Sequence, residues 1–266
     1  WGLGSSVTGA PLPLQGGISL DLSRMNRVLA LEPGSLIVRV QAGMLGMALE
    51  QQLNSRGYTL NHSPQSLDRS TVGGCVSTGA TGQFSSRYGG IEGLLVSLQA
   101  VLPTGEIIET PLAPRAAVGP DLNHLFMGAE GTLGVVTEVE IRLFPVSQVY
   151  GGNLFYPAEM AREVFARYRQ WIETAPEELT SSIVVMNFPP VPFVPEALRG
   201  RSFVMVRGCF AGPLEQGKAL VDEWRSWRAP GGDPWGGEPL PPGATVSRGT
   251  EKPHPAAMSG TRLGAL

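Results

Sequence analysis

The stretch GPDLNHLFMGAEGTLGVVTEVEIRLFP, residues 119–145, opens like a short helix, breaks into glycines and closes as a strand. Asp121 is placed to cap the helix, which runs through Met127, and Gly134–Leu143 reads as a strand. Between them Gly128, Gly131 and Gly134 stand three residues apart. Glycine loses more backbone freedom on folding than any other residue, so this spacing marks a special backbone path or a ligand that needs close approach.

Composition narrows the choice of ligand. The chain has 266 residues, enough for one large or two modest domains. Only 16% of them are charged, against about 25% in typical globular proteins, and 35 are glycine. Such a loop-rich chain does much of its binding with backbone. The net charge of −3 gives no basic face for nucleic acid or an anionic membrane. No apolar run approaches the roughly 18 residues of a membrane span, and no signal peptide is visible. Cys75 and Cys209 lie far apart without a CxxC spacing, so neither a metal site nor a disulfide is expected, and the cytoplasm is the expected setting. The first residue is Trp1, and Gly2-Leu3-Gly4 already reads as a working loop, so a fragment or a truncated chain is expected.

Upstream of the opening stretch, Ile18–Leu22, Val28–Leu31 and Leu36–Gln41 read as strands separated by turn residues. Leu45, Leu49 and Leu53 give a helix over Leu45–Arg56 that Gly57 ends. Residues 61–92 are dense in Ser, Thr and Gly, and read as a long ordered loop with one helical turn, a length that usually serves function. Leu94–Val101 and Glu106–Glu109 form a hairpin over Pro103-Thr104-Gly105. Downstream, Gly152–Tyr156 is a strand, and Met160, Val164, Tyr168 and Trp171 stripe a helix that starts at Pro157. Ser181–Phe188 and Ser202–Phe210 are strands, and a helix after Pro213 presents Leu220, Trp224 and Trp227. The expected domains are 1–148, 149–228 and a tail, 229–266, with 8 glycines and 7 prolines in its 38 residues. That composition buries too little apolar surface to order itself.

Besides 128–136, two further loops combine glycine with hydroxyls: residues 2–9 and 70–82. The first fails the dinucleotide fingerprint, because its third glycine is misplaced and no strand precedes it, and it lacks the lysine of a P-loop. Freed backbone N–H groups and neutral hydroxyls can still hold an anion. Physics alone leaves two readings open, an anionic ligand with a planar part or merely loop-rich structure.

A resemblance separates them. WGLGSSVTG (1–9), SPQSLDRSTVGGCVSTGATG (63–82) followed by RYGGIEGLLV, and GAEGTLGVVTEVEIRL (128–143) are similar to the three flavin loops of the FAD-linked oxidases with a PCMH-type FAD-binding domain. That group contains vanillyl-alcohol oxidase, D-lactate dehydrogenases and alkylglycerone-phosphate synthase. Leu3 departs from the three consecutive glycines usual in the first loop. Residues 150–228 resemble, more weakly, the substrate domain of berberine-bridge-enzyme-like oxidases. The resemblance implies an α+β fold: the larger subdomain of the PCMH-type domain, with the N-terminal subdomain missing, followed by a partial substrate domain.

It also implies site residues. Gly2, Gly4, Ser5 and Ser6 would hold the pyrophosphate. Ser70 and Thr71 would donate to phosphate or ribityl oxygens, and Ser66 is a further cofactor-binding candidate. Gly73, Gly74, Thr78, Gly79, Ala80, Thr81 and Gly82 would wrap the flavin, with Pro64 and Tyr88 in contact. Glu130, Gly131, Thr132, Gly134, Val135 and Val136 would form the third approach, where side chains at Gly131 and Gly134 would obstruct the cofactor. FAD is expected to be noncovalent, since the first loop has no histidine to tether it and Cys75 reads as a buried inert thiol. His62 and His124 are weak acid–base candidates that read more readily as structural or solvated. No catalytic residue and no metal site is assigned. The implied function is an FAD-dependent oxidoreductase acting on an alcohol, hydroxy acid or similar small molecule, with oxygen or another electron acceptor. The alternative is an FAD-binding subunit without turnover. No nucleic-acid or membrane partner is expected; a homo-oligomer or a complementing subunit is.

Overall fold

The computed structural model describes residues 1–113, 117, 119–146, 149–194 and 196–227. The chain divides into two compact units after Val146. The tail expected to be disordered lies outside the described residues, as does the junction at 147–148.

The first unit runs β1 (Val28–Glu32), β2 (Ile37–Gln41), α1 (Gly46–Asn54), β3 (Tyr58–Thr59), α2 (Val72–Ser77), α3 (Ser85–Tyr88), α4 (Ile91–Leu94), β4 (Leu95–Val101), β5 (Ile107–Glu109), α5 (Leu122–Phe126), β6 (Val135–Arg142) and β7 (Phe144–Pro145). Five strands form an antiparallel sheet in the order β1-β2-β6-β4-β5. Period-two alternation sends Val38, Val40, Leu98, Ala100, Val139 and Ile141 into one core with Leu49 and Leu53 of α1, Val72 and Val76 of α2, and Phe126 of α5. The opposite face is polar. There Arg39 reaches Glu138 at 2.7 Å and Glu109 at 2.9 Å, and the Ser97 hydroxyl donates to Glu140.

Glu50, on the buried side of α1, is a polar exception that sequence reading missed. Its carboxylate accepts from the Thr59 hydroxyl, from the Leu60 N–H at 3.1 Å and from the Asn54 amide at 2.8 Å, tying α1 to the chain leaving β3. Burial pushes its pKa upward against these donors.

Two expectations need correction. Residues 18–22 form no strand, and Ile18 is 96% exposed: an alternating pattern without a neighbouring strand to pair with has no ladder to join. Residues 61–92 hold three short helices or their starts, α2, α3 and α4, rather than one turn.

The second unit is β8 (Tyr150–Pro157), α6 (Ala161–Ile172), β9 (Leu179–Asn187), β10 (Ser202–Phe210) and α7 (Leu214–Arg225). Its antiparallel sheet has the order β8-β10-β9. Leu154, Tyr156, Val204 and Val206 face α6 and α7, where Val164, Trp171 and Trp224 close a core with Met160, Tyr168, Leu220 and Trp227 at its margin. Phe155, Phe203 and Met205 point the other way and pack with Val184, Phe188 and Leu198.

Candidate functional site

The element that organises the predicted site is α2, six residues long and containing two glycines. Thr71 caps it, its hydroxyl accepting the Gly74 N–H at 3.1 Å. Its first turn is bound to the chain between β2 and α1: Val72 N–H donates to Met44 and Gly73 N–H to Ala42, both at 2.8 Å. A Cβ on Gly73 would come within 2.5 Å of the Ala42 Cβ, so only glycine permits this approach.

All three glycine-rich loops meet this helix. In the first, Gly2 lies against Thr71, where a Cβ would stand 2.5 Å from the hydroxyl oxygen. The Ser5 and Ser70 hydroxyls are 3.1 Å apart, and Ser70 donates on to Ser66 at 2.6 Å. In the second, Ala80 N–H returns to Cys75 at 2.9 Å, and the Thr78 hydroxyl donates to Gly74 at 2.9 Å. In the third, Gly128 N–H donates to Val76 at 3.1 Å and Glu130 N–H to Ser77 at 3.0 Å. One short helix therefore carries hydrogen bonds or contacts from loops separated by more than a hundred residues.

The predicted residues divide by exposure. Gly4, Ser5, Thr78, Gly79, Thr81, Glu130, Gly131 and Thr132 are exposed, and Gly2, Ser6, Ser66, Gly74, Ala80, Gly82, Tyr88 and Val135 are partly so. Pro64, Ser70, Thr71, Gly73, Gly134 and Val136 are buried and support the loops from within. The Tyr88 ring packs against Phe144, centroids 4.7 Å apart and planes tilted by 57°.

Gly131 and Gly134 differ in what the protein itself asks of them. Gly131 sits at φ +83 with nothing within 4 Å of an added Cβ, so its backbone conformation selects glycine. Gly134 is crowded by the protein itself: a Cβ would lie 2.9 Å from the Val101 carbonyl and 3.1 Å from the Phe126 ring.

The two histidines also part. His124 is exposed and paired with Asp121 at 3.0 Å. His62 is buried, at 5% exposure, and neither ring nitrogen meets a hydrogen-bond partner among the described residues. Burial holds its pKa down near 4, with Glu92 pulling weakly the other way, so the ring is neutral. No sequence signal announces this burial. Cys75 is buried as expected, and desolvation pushes its thiol up to about 11.

The first unit, an antiparallel sheet backed by short helices with three glycine-rich loops gathered at one helix, has the PCMH-type FAD-binding fold of its solved neighbours. Residues 1–111 match the family described as FAD binding domain. Among curated proteins, the chain is 43% identical over 160 residues to alkyldihydroxyacetonephosphate synthase of Caenorhabditis elegans, covering 58% of this chain and 27% of that one. It is 38% identical over 155 residues to the uncharacterized FAD-linked oxidoreductase YgcU of Escherichia coli K12, covering 58% and 32%. The chain thus spans about a third or less of these relatives. Among solved structures, an alkyldihydroxyacetonephosphate synthase aligns with TM-score 0.66 at 27% identity, over 84% of this chain and 44% of that one. A berberine bridge enzyme variant in complex with (S)-reticuline aligns with TM-score 0.65 at 19% identity, over 84% and 42%, and shares the fold.

The residues present fit FAD. The loops offer backbone N–H groups and a relay of serine hydroxyls, the neutral donor set that a pyrophosphate accepts without a lysine. The unpartnered nitrogens of His62, next to Ser63 and Pro64, add buried hydrogen-bonding capacity beside the second loop.

Proposed function

We propose that this chain is the flavin-binding part of an FAD-dependent oxidoreductase that oxidises an alcohol, hydroxy acid or similar small molecule and passes the electrons to oxygen or another acceptor. The observation that carries this reading is the convergence of the three loops on α2. Gly2, Gly4, Ser5 and Ser6 would hold the pyrophosphate, with Ser66, Ser70 and Thr71 behind them as hydroxyl donors. Residues 73–82 and 130–136 would take the rest of the cofactor against their backbone. When bound, FAD supplies two-electron acceptance, and the protein supplies position and electrostatics. We further propose that the cofactor is held noncovalently, supported by the first loop's lack of histidine and the burial of Cys75. The cytoplasm is the compartment we assign, a reading supported by two unpaired, buried thiols. Relatives named as a synthase, as an uncharacterized oxidoreductase and as glycolate oxidase subunit GlcD of Bacillus subtilis leave the substrate at this class level.

The test has two stages. Reconstitution with excess FAD, followed by removal of free cofactor, is expected to leave flavin bands in the visible spectrum; a colourless protein refutes the flavin reading. Reduction by a panel of hydroxy acids and alcohols, with a dye acceptor, then separates an enzyme from a flavin-binding subunit without turnover.

A further inference from the structure

We infer that His62, together with the side-chain amide of Gln83, hydrogen-bonds the bound cofactor from the inner side of the second loop. This rests on the FAD reading above and extends it to two residues outside the glycine-rich motifs.

Two adjoining chain segments here carry three buried polar atoms. Nδ1 and Nε2 of His62 and Oε1 of Gln83 are all shielded from solvent and lack a partner among the described residues. They belong to two chain segments laid backbone to backbone. The Gln83 N–H donates to the Ser63 carbonyl at 3.0 Å, and a Cβ on Gly82 would stand 2.5 Å from the Ser63 nitrogen and 3.2 Å from that of Pro64. Nearly all buried polar groups in folded proteins are hydrogen-bonded, so three exceptions on adjoining segments call for a partner of their own. The nearby charged side chain, Glu92, is occupied: its carboxylate accepts the Gly90 N–H at 2.8 Å.

A neutral imidazole brings one donor and one acceptor, and the Gln83 amide adds both. That set matches a heteroaromatic or polyol ligand carrying donors and acceptors side by side, and FAD has both kinds of surface. An ordered internal water is the competing partner.

Calorimetric FAD titration and apoprotein melting, run on wild type, His62→Phe and His62→Gln, decide between them. Phenylalanine keeps a planar ring and removes both nitrogens; glutamine restores a donor and an acceptor. The inference expects His62→Phe to weaken FAD binding at least tenfold while the apoprotein melts at the wild-type temperature or above, because an unmade buried hydrogen bond is relieved. His62→Gln should recover most of the affinity. His62→Phe binding FAD within twofold of wild type overturns the inference and leaves the flavin reading intact. A fall in apoprotein stability that accompanies the lost affinity also overturns it, in favour of a water-bridged structural ring. A wild-type chain that takes up no FAD overturns both.

Discussion

Gly134→Ala isolates the crowding described above. The backbone of Gly134 does not need positive φ, so alanine meets no conformational penalty and the cost is steric. The added methyl would press on the Val101 carbonyl at 2.9 Å, on Phe126 Cε1 at 3.1 Å and, in ordinary contact, on Leu102 Cδ2 at 3.6 Å. The carbonyl belongs to the end of β4, where Val101 pairs with Val135 in β6, and the Phe126 ring is 3% exposed within the core. Neither can retreat without loosening its neighbours. Overpacking of this kind costs about 1–3 kcal/mol. At roughly 2–4 °C per kcal/mol for a unit of this size, a 2 kcal/mol loss lowers the melting temperature by about 4–8 °C. Gly131→Ala serves as the control. It meets no atom within 4 Å but forces alanine to φ +83, which costs about 1–2 kcal/mol and alters the loop itself. Urea melts and FAD titrations of both variants separate the two effects. Gly134→Ala should lose stability first, with FAD affinity falling little in the fraction that stays folded; Gly131→Ala should lose affinity. A Gly134→Ala protein as stable as wild type but unable to bind FAD would refute the packing explanation and return Gly134 to the cofactor's surface.

Three further outcomes are expected. Acid precipitation of the reconstituted protein should release all flavin to the supernatant; colour in the pellet that disappears in Cys75→Ser would establish a thioether instead. The His62 pKa, near 4 when folded against 6.5 unfolded, makes the unfolded state bind more protons between those values. Its contribution is therefore fully present above pH 6.5 and lost as pH falls through about 4, by about 3 kcal/mol in all, and His62→Phe should flatten that part of a stability–pH curve from urea melts. Trp224→Ala removes a ring that is 1% exposed and stacked edge-on against Trp171 at 5.5 Å, so the second unit should lose about 3–5 kcal/mol by chemical denaturation followed through its aromatic signals.

What sequence reading could reach follows from how local each signal is. The strands β1, β2, β4, β5 and β6 and the helices α6 and α7 repeat their apolar residues at the period of their own geometry, and the hairpin turn at 103–105 and the Asp121 cap are short-range chemistry. The structure has them within a residue or two, except that α6 starts at Ala161, four residues after Pro157, with a 3-10 turn at Ala158–Met160 between. Residues 18–22 show the limit: the alternation is present, but a strand also needs a partner, which alternation does not encode. The sequence VGGCVS gives no helical stripe, and α2 exists because Thr71 caps it and the turn before α1 receives its first N–H groups. For the site, glycine and hydroxyl density marked the three loops. It could not tell that Gly134 is packed against protein while Gly131 is a conformational requirement. Nor could it show that His62 and Glu50 are buried, since burial is decided by residues far away in the chain.

Two glycines in six residues make α2 a poor helix by itself, each costing about 1 kcal/mol against alanine, and an isolated helix of that length does not persist in water. Its order is lent by the segments that touch it, and theirs by α2. The amides of Cys75, Thr78, Ala80, Gly128 and Glu130 all donate to carbonyls between Thr71 and Ser77. These five amides should therefore exchange with solvent deuterium as one group, opening in a single event. The first loop leans on Thr71 at the same place, so that event would slacken all three loops together. A ligand gripping any one of them would slow exchange in the other two.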